Sequence, residues 1–189
     1  GRKAITKRQT MNDYATTRRE YRWDCPARFN FARDVIDRWA AADPAQPAML
    51  WLDDHGHEER RSFAGIAAAS CRAANVLAAA GVARGDRVVM LLGRQIAWWE
   101  VLTACLRMGA VASPGTAQLS AKDLAFRINA AQATCVVTDT GNAAKVDAVL
   151  GECGRLPVHA QLDVRAPARE RRRRARVRPR PPVGIPRPE

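Results

Sequence analysis

Two histidines one residue apart, His55 and His57, have types and spacing that could do chemistry, since a pair of imidazoles can bind a metal ion. No third ligand is evident beside them, and Gly56 stands between them. The stretch Asp54–His57 therefore favours a hairpin turn over a metal centre. No G-x-G-x-x-G motif follows any predicted strand, so a dinucleotide site is unsupported.

A second candidate is the pair Trp98 and Trp99, whose rings could stack on a base or on an acyl chain. The pair falls within a predicted helix. At helical spacing one ring is expected in the core, and the other is expected to pack beneath a neighbouring loop.

The five cysteines contain no C-x-x-C pair, and their number is odd. This spacing favours reduced thiols, several of them small core residues, over a metal site or a disulfide framework. No apolar run reaches the ~18 residues that span a membrane, and no signal peptide precedes the middle of the chain. These features predict a cytoplasmic protein with no membrane span.

The formal net charge of +12 would ordinarily indicate a nucleic-acid or anionic-surface partner. Four bases stand in residues 1–10, and ten arginines with two acids stand in residues 165–189. Residues 11–164 hold 17 bases and 17 acids, so the excess charge lies at the two ends. The neutral, apolar middle is typical of an ordinary globular domain.

Short apolar strands alternate with longer helices along this middle part. The predicted helices are at about 31–42, 63–80, 95–108, 121–132 and 141–150, and the predicted strands are at about 48–52, 58–61, 87–92, 111–113 and 134–138. Asn30, Ser62 and Ser120 are the predicted helix caps. The alternation predicts a parallel, doubly wound α/β sheet.

Residue spacing also predicts which faces of three helices are buried. The predicted inward residues are Phe31, Val35 and Trp39 in the first helix, Phe63, Ile66, Ser70, Ala73 and Leu77 in the second, and Ile96, Trp99, Thr103 and Leu106 in the third.

The composition changes abruptly after about residue 156. Residues 165–189 are mostly Arg, Pro, Ala and Gly, whose codons are GC-rich, and they hold no aromatic residue or Leu. One interpretation is a functional basic tail that binds nucleic acid or acidic lipid, with Arg171–Arg174 on phosphates. The other is a GC-rich gene translated in the wrong frame. In either case the segment has too little apolar area to fold and is predicted to be disordered.

Residues 29–139 contain a series of distinctive stretches. They are, in order, FNFARDVIDRWA, RRSFAGIAAASCRAANVLAAAGVARGDRVVMLL, RQIAWW, LRMGAVASPGTAQLSAKDLAFRI and ATCVVTD. In this order they resemble the start of medium-chain acyl-CoA synthetases in the adenylate-forming (AMP-binding) ligase superfamily. PGTAQLSAKD points to the medium-chain branch.

The resemblance implies a two-step reaction, in which ATP and a carboxylic acid give an acyl-adenylate and the thiol of coenzyme A then displaces AMP. Such chemistry needs a Gly-rich Ser/Thr loop for the triphosphate, a lysine, and Mg²⁺ between phosphates. The family carries these groups later in the chain. This sequence has no Thr-Ser-Gly-Thr-Thr-Gly-like loop and no Tyr-Gly-x-Thr-Glu-like segment.

The resemblance also implies that Gln118 lies near the channel for coenzyme A. A glutamine amide both donates and accepts hydrogen bonds, which suits a pantetheine or nucleotide contact. The alternative is a loop glutamine that is merely solvated. Thr116 is a weaker candidate for the same contact, and its alternative role is to close the turn after Pro114-Gly115.

Together these features predict a partial doubly wound layer, the N-terminal subdomain of an adenylate-forming enzyme, over residues 11–156. Residues 1–10 are predicted to be a disordered leader, and residues 157–189 an Arg/Pro-rich tail that is disordered or frame-shifted. Such a truncated chain is expected to be inactive alone and to bind none of ATP, Mg²⁺ and coenzyme A strongly. No specific nucleic-acid partner is expected, and an exposed sheet edge predicts aggregation.

Overall fold

The computed structural model describes residues 13–23, 25–154, 158–162 and 176–179. The helices are α1 (Tyr14–Glu20), α2 (Arg38–Ala42), α3 (Phe63–Ala79), α4 (Ile96–Met108), α5 (Ala121–Ala130) and α6 (Ala143–Val149). The strands are β1 (Pro47–Leu52), β2 (Glu58–Ser62), β3 (Arg87–Leu91), β4 (Val111–Gly115), β5 (Cys135–Asp139), β6 (Val158–Leu162) and β7 (Arg176–Pro179). A π-helical turn, Ala32–Asp37, runs into α2, and a 3-10 turn, Leu150–Glu152, follows α6.

The main sheet has the strand order β4-β3-β5-β6-β7. The strands β4, β3, β5 and β6 are parallel, and β7 is antiparallel to β6. The chain passes from β3 through α4 to β4, and then crosses through α5 to β5 on the other side of β3. This reversal of direction is the mark of a doubly wound sheet, so the predicted α/β fold class is confirmed.

Side chains of β3 point alternately into two cores, one on each face of the sheet. Val88 and Met90 belong to the core that contains α3 and α4, whereas Val89 and Leu91 belong to the core that contains α5 and α6. All four side chains have no exposed surface. Burial on both faces explains why the sequence of β3 is continuously apolar rather than alternating.

The strands β1 and β2 form a separate antiparallel hairpin, with Leu50 opposite Arg60 and Leu52 opposite Glu58. The indole N–H of Trp51 donates to the carbonyl oxygen of Arg94 at 2.9 Å. This bond joins the hairpin to the connection between β3 and α4.

The buried face predicted for the first helix is wrong at Phe31, which is 43% exposed. Val35 and Trp39 are half-buried, and the fully buried residues are their neighbours Ala32 and Ile36. The spacing of four residues is right, but the segment begins as a π-helical turn, which has more residues per turn than an α-helix. The wider turn changes the angle between successive side chains, so a face drawn for an α-helix is displaced.

The face predicted for α4 is wrong at two of its four residues. Ile96 and Thr103 are buried as expected, but Trp99 is 50% exposed and Leu106 is 38% exposed. The core instead receives small side chains, chiefly Ala104 and Cys105, neither of which has exposed surface. Small residues allow α4 to approach α3 and the sheet closely. A face predicted from the spacing of large apolar residues does not include them.

The main sheet extends further than the sequence predicts. β4 continues through Pro114 to Gly115, pairing in parallel with β3. Among the described strands β4 is at the edge of its sheet, where a proline without an N–H is tolerated. Past residue 156, the strands β6 and β7 lie within the segment 157–189 and continue the sheet. The remainder of that segment, and the predicted leader 1–10, lie outside the described residues.

Candidate functional site

The connections that follow β3, β4 and β5 meet at one edge of the sheet, because the three strands are parallel. Here the chain reverses its direction along the sheet, since β4 and β5 lie on opposite sides of β3. In open α/β sheets ligands bind at the carboxyl ends of the strands, next to such a reversal. This edge is therefore the candidate functional site.

The loop between β4 and α5 carries both residues nominated from the sequence. Thr116 and Gln118 are exposed. Leu119 is half-buried and packs against the core that contains α5 and α6. The backbone N–H of Gln118 donates to the hydroxyl of Thr116 at 3.2 Å, and the N–H of Leu119 donates to the carbonyl of Thr116 at 3.1 Å. Thr116 thus closes the turn after Pro114-Gly115, which is one of its two expected roles.

The side chain of Gln118 is available for a ligand. Within the described residues its amide group makes no hydrogen bond, and it stands at the carboxyl edge of the sheet. Whether that amide contacts coenzyme A or only water stays a prediction.

Two basic side chains hold the same loop from the helices that follow it. Arg127 of α5 donates to the carbonyl oxygen of Pro114 at 3.2 Å. Lys145 of α6 donates to the carbonyl oxygen of Ala117 at 2.7 Å. Sequence reasoning did not find either residue, because each partner is a backbone carbonyl, which leaves no side-chain pattern to recognise.

Asp139, at the end of β5, ties the neighbouring connections together. Its carboxylate accepts from the backbone N–H of Gly93 at 3.3 Å and from the side chain of Gln95 at 3.2 Å. It also accepts from the backbone and the side-chain amide of Asn142, both at 2.9 Å. Asp139 was not predicted from the sequence. The available signal was an acidic side chain directly after a buried strand, at the edge where parallel strands end.

The histidine pair lies in a turn, as the sequence favours. The carboxylate of Asp53 accepts from the backbone N–H groups of His55 and His57 at 2.9 and 2.8 Å, and Gly56 has a φ of +80°. Among the residues that the structure describes, no three His, Cys, Asp or Glu side chains are grouped to hold a metal ion.

Of the two tryptophans, one packs against the core, as predicted, and the other does not behave as predicted. The two rings meet edge to face, with their centroids 4.7 Å apart. Trp98 packs against the core of α3 and α4, whereas half of the surface of Trp99 is exposed. The second ring is therefore not covered to the extent expected of a residue beneath a loop.

A second polar cluster lies away from the carboxyl edge and joins the N-terminal segment to the core. Arg107 of α4 donates to both carboxylate oxygens of Asp37, each at 2.7 Å, and to the hydroxyl of Ser70. These hydrogen bonds lower the pKa of Asp37 and raise the pKa of Arg107. The side chain of Asn30 donates to the carbonyl oxygen of Leu106 at 2.8 Å, so it also satisfies the end of α4.

Comparison with protein-family models identifies the class. The model described as "AMP-binding enzyme" matches residues 36–188 of this chain. The chain therefore belongs to the AMP-binding enzyme family, and the resemblance stated from its motifs is confirmed.

The individual relatives are acyl-coenzyme A synthetases. The human mitochondrial acyl-coenzyme A synthetase ACSM3 is 38% identical over 168 residues, covering 86% of this chain and 28% of the relative. Mouse mitochondrial ACSM4 is 42% identical over 137 residues, covering 69% and 24%. Among solved structures, a fatty acyl CoA synthetase from Mycobacterium tuberculosis has a TM-score of 0.66 at 25% identity, covering 77% of this chain and 28% of that one. The chain thus spans less than a third of the length of these relatives.

The comparisons and the structure bear on two further expectations, which concern the cellular location and a nucleic-acid partner. The relatives are named mitochondrial, which does not match the expected cytoplasmic location. Over the described part of the chain, no helix has the length and apolar character needed to cross a membrane. The arginines that motivated a nucleic-acid partner are in residues 165–189, whose side chains are not described, and the family match runs through most of that segment.

Proposed function

We propose that this chain is the N-terminal part of an acyl-CoA synthetase that joins a medium-chain carboxylic acid to coenzyme A through an acyl-adenylate. The observation that supports it is the family match over residues 36–188, together with the doubly wound sheet whose carboxyl edge carries the Pro-Gly-Thr-Ala-Gln loop. The medium-chain assignment rests on the sequence of that loop.

The motifs that the family resemblance associates with ATP do not occur in this sequence. Its 189 residues contain no Gly-rich Ser/Thr loop, and the described residues contain no cluster of carboxylates for Mg²⁺. ATP and Mg²⁺ therefore do not fit the described residues. The chain alone is proposed to be inactive.

Coenzyme A fits one feature of the candidate site. The amide of Gln118 is exposed and makes no hydrogen bond to another described residue, and pantetheine offers amide groups that both donate and accept. When bound, coenzyme A supplies the thiol that attacks the acyl-adenylate. The proposed role of Gln118 is to orient the pantetheine arm, and Thr116 holds the turn that presents Gln118.

The activity test is an assay of the purified chain with ATP, Mg²⁺, coenzyme A and straight-chain acids from butyrate to decanoate. We expect no acyl-CoA above a protein-free control. Sustained turnover that survives repurification would contradict the proposal that the chain alone is inactive.

The coenzyme A contact is tested separately by ¹H–¹⁵N correlation spectra of the chain during a titration with coenzyme A to millimolar concentration. We expect weak binding, with shifts at Thr116–Leu119 that are lost in Gln118→Ala. The matched control is Gln46→Ala, since Gln46 is half-buried near β1 and outside the site. Equal shifts in Gln118→Ala and in the control would show that the amide of Gln118 is only solvated.

The cellular compartment also remains a proposal. Cys25 and Cys71 are exposed free thiols and Cys105 is a buried one, which suits a reducing compartment such as the cytoplasm. Burial raises the pKa of the Cys105 thiol to about 11, so this residue is an inert part of the core. Fractionation of cells that express the chain from its own gene would decide between cytoplasm and mitochondrion.

A further inference from the structure

The loop that carries Gln118 is exposed to solvent, yet its backbone is held at several points. The turn from Thr116 to Leu119 is closed by the two hydrogen bonds to Thr116. On the far side of the loop Ser120 caps α5, accepting from the N–H of Asp123 at 3.2 Å. These local contacts set the shape of the turn, but they do not fix its position relative to the neighbouring strands.

Lys145 supplies the link from this loop to another part of the sheet. Its ammonium group lies 2.7 Å from the carbonyl oxygen of Ala117, the residue directly before Gln118. The two residues are 28 positions apart in the sequence and belong to elements on different strand connections. Lys145 is half-buried, so its hydrogen bond to Ala117 is partly shielded from water.

Lys145 is itself held in place by the helix that bears it. Val146, the next residue, has no exposed surface, and Val149 has 2% exposed, so one face of α6 is fixed in the core. The start of α6 is tied to Asp139 through Asn142. A continuous series of contacts therefore runs from the end of β5 through α6 to the residue before Gln118.

We propose that Lys145 is the positioning residue of the candidate site: its hydrogen bond to the carbonyl of Ala117 fixes the direction in which Gln118 presents its amide. The part of this inference that concerns coenzyme A rests on the proposed function. The part that concerns the loop backbone stands on the contacts alone.

The physical reason is the strength of a hydrogen bond from a charged donor. A bond of this kind contributes roughly 1.5–3 kcal/mol, which corresponds to about a tenfold or larger change in a local opening equilibrium. Arg127 still holds Pro114 when Lys145 is changed, so the loop is expected to loosen near Ala117 without detaching from the sheet. Lys145 acts on the ligand through Gln118 and is not itself a catalytic residue.

The first experiment measures hydrogen exchange at the amides of Gln118 and Leu119, both of which are hydrogen-bonded. We expect roughly tenfold faster exchange in Lys145→Met, with protection largely restored in Lys145→Arg. The matched control is Lys122→Met, because Lys122 is an exposed lysine on the first turn of α5. Unchanged exchange in Lys145→Met would overturn the inference, and equal acceleration in the control would do the same.

The second experiment repeats the coenzyme A titration with the same variants. We expect the dissociation constant to rise several-fold in Lys145→Met, to recover in Lys145→Arg and to stay unchanged in Lys122→Met, when all are measured well below their melting temperatures. An unchanged dissociation constant in that variant would contradict the positioning role.

The two experiments separate the inference from the proposed function. If the wild-type chain binds no coenzyme A but Lys145→Met accelerates exchange, the coenzyme A contact fails and the anchoring of the loop stands. If the wild-type chain binds coenzyme A through Gln118 but Lys145→Met changes neither exchange nor affinity, the inference about Lys145 fails and the proposed contact stands.

Discussion

Arg107, Asp37 and Ser70 form a hydrogen-bonded set of side chains that joins three helical segments. Both carboxylate oxygens of Asp37 accept from the guanidinium, and Ser70 has no exposed surface. Sequence patterns do not reveal such a set, because its members are separated by 37 and 70 positions. Lys145 was concealed in a similar way, because its partner is a backbone carbonyl 28 positions away. Gln118 was found because its neighbours in sequence form a recognisable motif.

At this scale we predict that Asp37→Asn lowers the free energy of unfolding at neutral pH by about 1–2 kcal/mol, since an ionic hydrogen-bonded pair becomes a neutral one. The pKa of Asp37 is lowered in the folded chain by Arg107. The pair therefore stabilises the fold fully above the unfolded pKa, and this contribution is lost as the pH falls through the lower, folded pKa. The difference in stability between wild type and Asp37→Asn should begin to shrink near pH 4, the ordinary pKa of an aspartate, and disappear only below the lowered pKa of Asp37 in the folded chain.

Urea unfolding at neutral and acidic pH measures this difference. The control is Asp54→Asn, because Asp54 is exposed in the turn between β1 and β2. A constant difference between wild type and Asp37→Asn at all pH values would contradict the ionic explanation.

Helix ends are the part of the element scale that the sequence predicts well. Ser62 and Ser120 cap α3 and α5 as expected, and Asn30 accepts from the N–H of Arg33 at 3.2 Å. Caps depend on a few adjacent residues, so their signal is local. Buried faces depend on neighbours far along the chain and on the exact helical period, which is why the faces containing Phe31 and Trp99 were misplaced.

The cap of α5 gives a prediction for a single element. The hydroxyl of Ser120 accepts from the N–H of Asp123 and donates to its carboxylate at 2.6 Å. We expect Ser120→Ala to lower the free energy of unfolding by about 1 kcal/mol. Ser120→Asn should retain most of the wild-type stability, since Asn is an equally good cap. Thermal unfolding followed by circular dichroism would measure both. Equal losses in the two variants would mean that the cap is not the cause.

The end of α4 gives a second prediction for a single element. Gly109 has a φ of +74°, and a Cβ added there would lie 3.1 Å from the side chain of Arg84. We expect Gly109→Ala to destabilise the chain by about 1–2 kcal/mol through left-handed strain. Gly151 has open space and no such φ, so Gly151→Ala should be neutral or slightly stabilising in the same urea titration. Similar effects at both glycines would contradict the role of backbone conformation.

For the whole molecule, the sequence predicts the alternation of strands and helices, and the fold class follows from it. The order β4-β3-β5 is not evident from that alternation, because it depends on which side of β3 each crossover returns to. The location of the site at the carboxyl edge follows only once this order is known. Net charge was informative chiefly by its distribution, since residues 11–164 are neutral.

The surface of the whole molecule leads to the last prediction, which concerns association. Val111 on the edge strand β4 is 51% exposed, and Phe126 on α5 is 74% exposed. An open strand edge beside exposed apolar side chains favours association between chains. We therefore expect the wild-type chain to form soluble aggregates in size-exclusion chromatography with light scattering, and Val111→Lys/Phe126→Lys to shift it towards the monomer. The control Ala78→Lys/Ala121→Lys adds the same charge at exposed positions without removing a large apolar side chain. If both pairs restore the monomer equally, net charge rather than apolar exposure controls association; a wild-type chain that is already monomeric would contradict the prediction altogether.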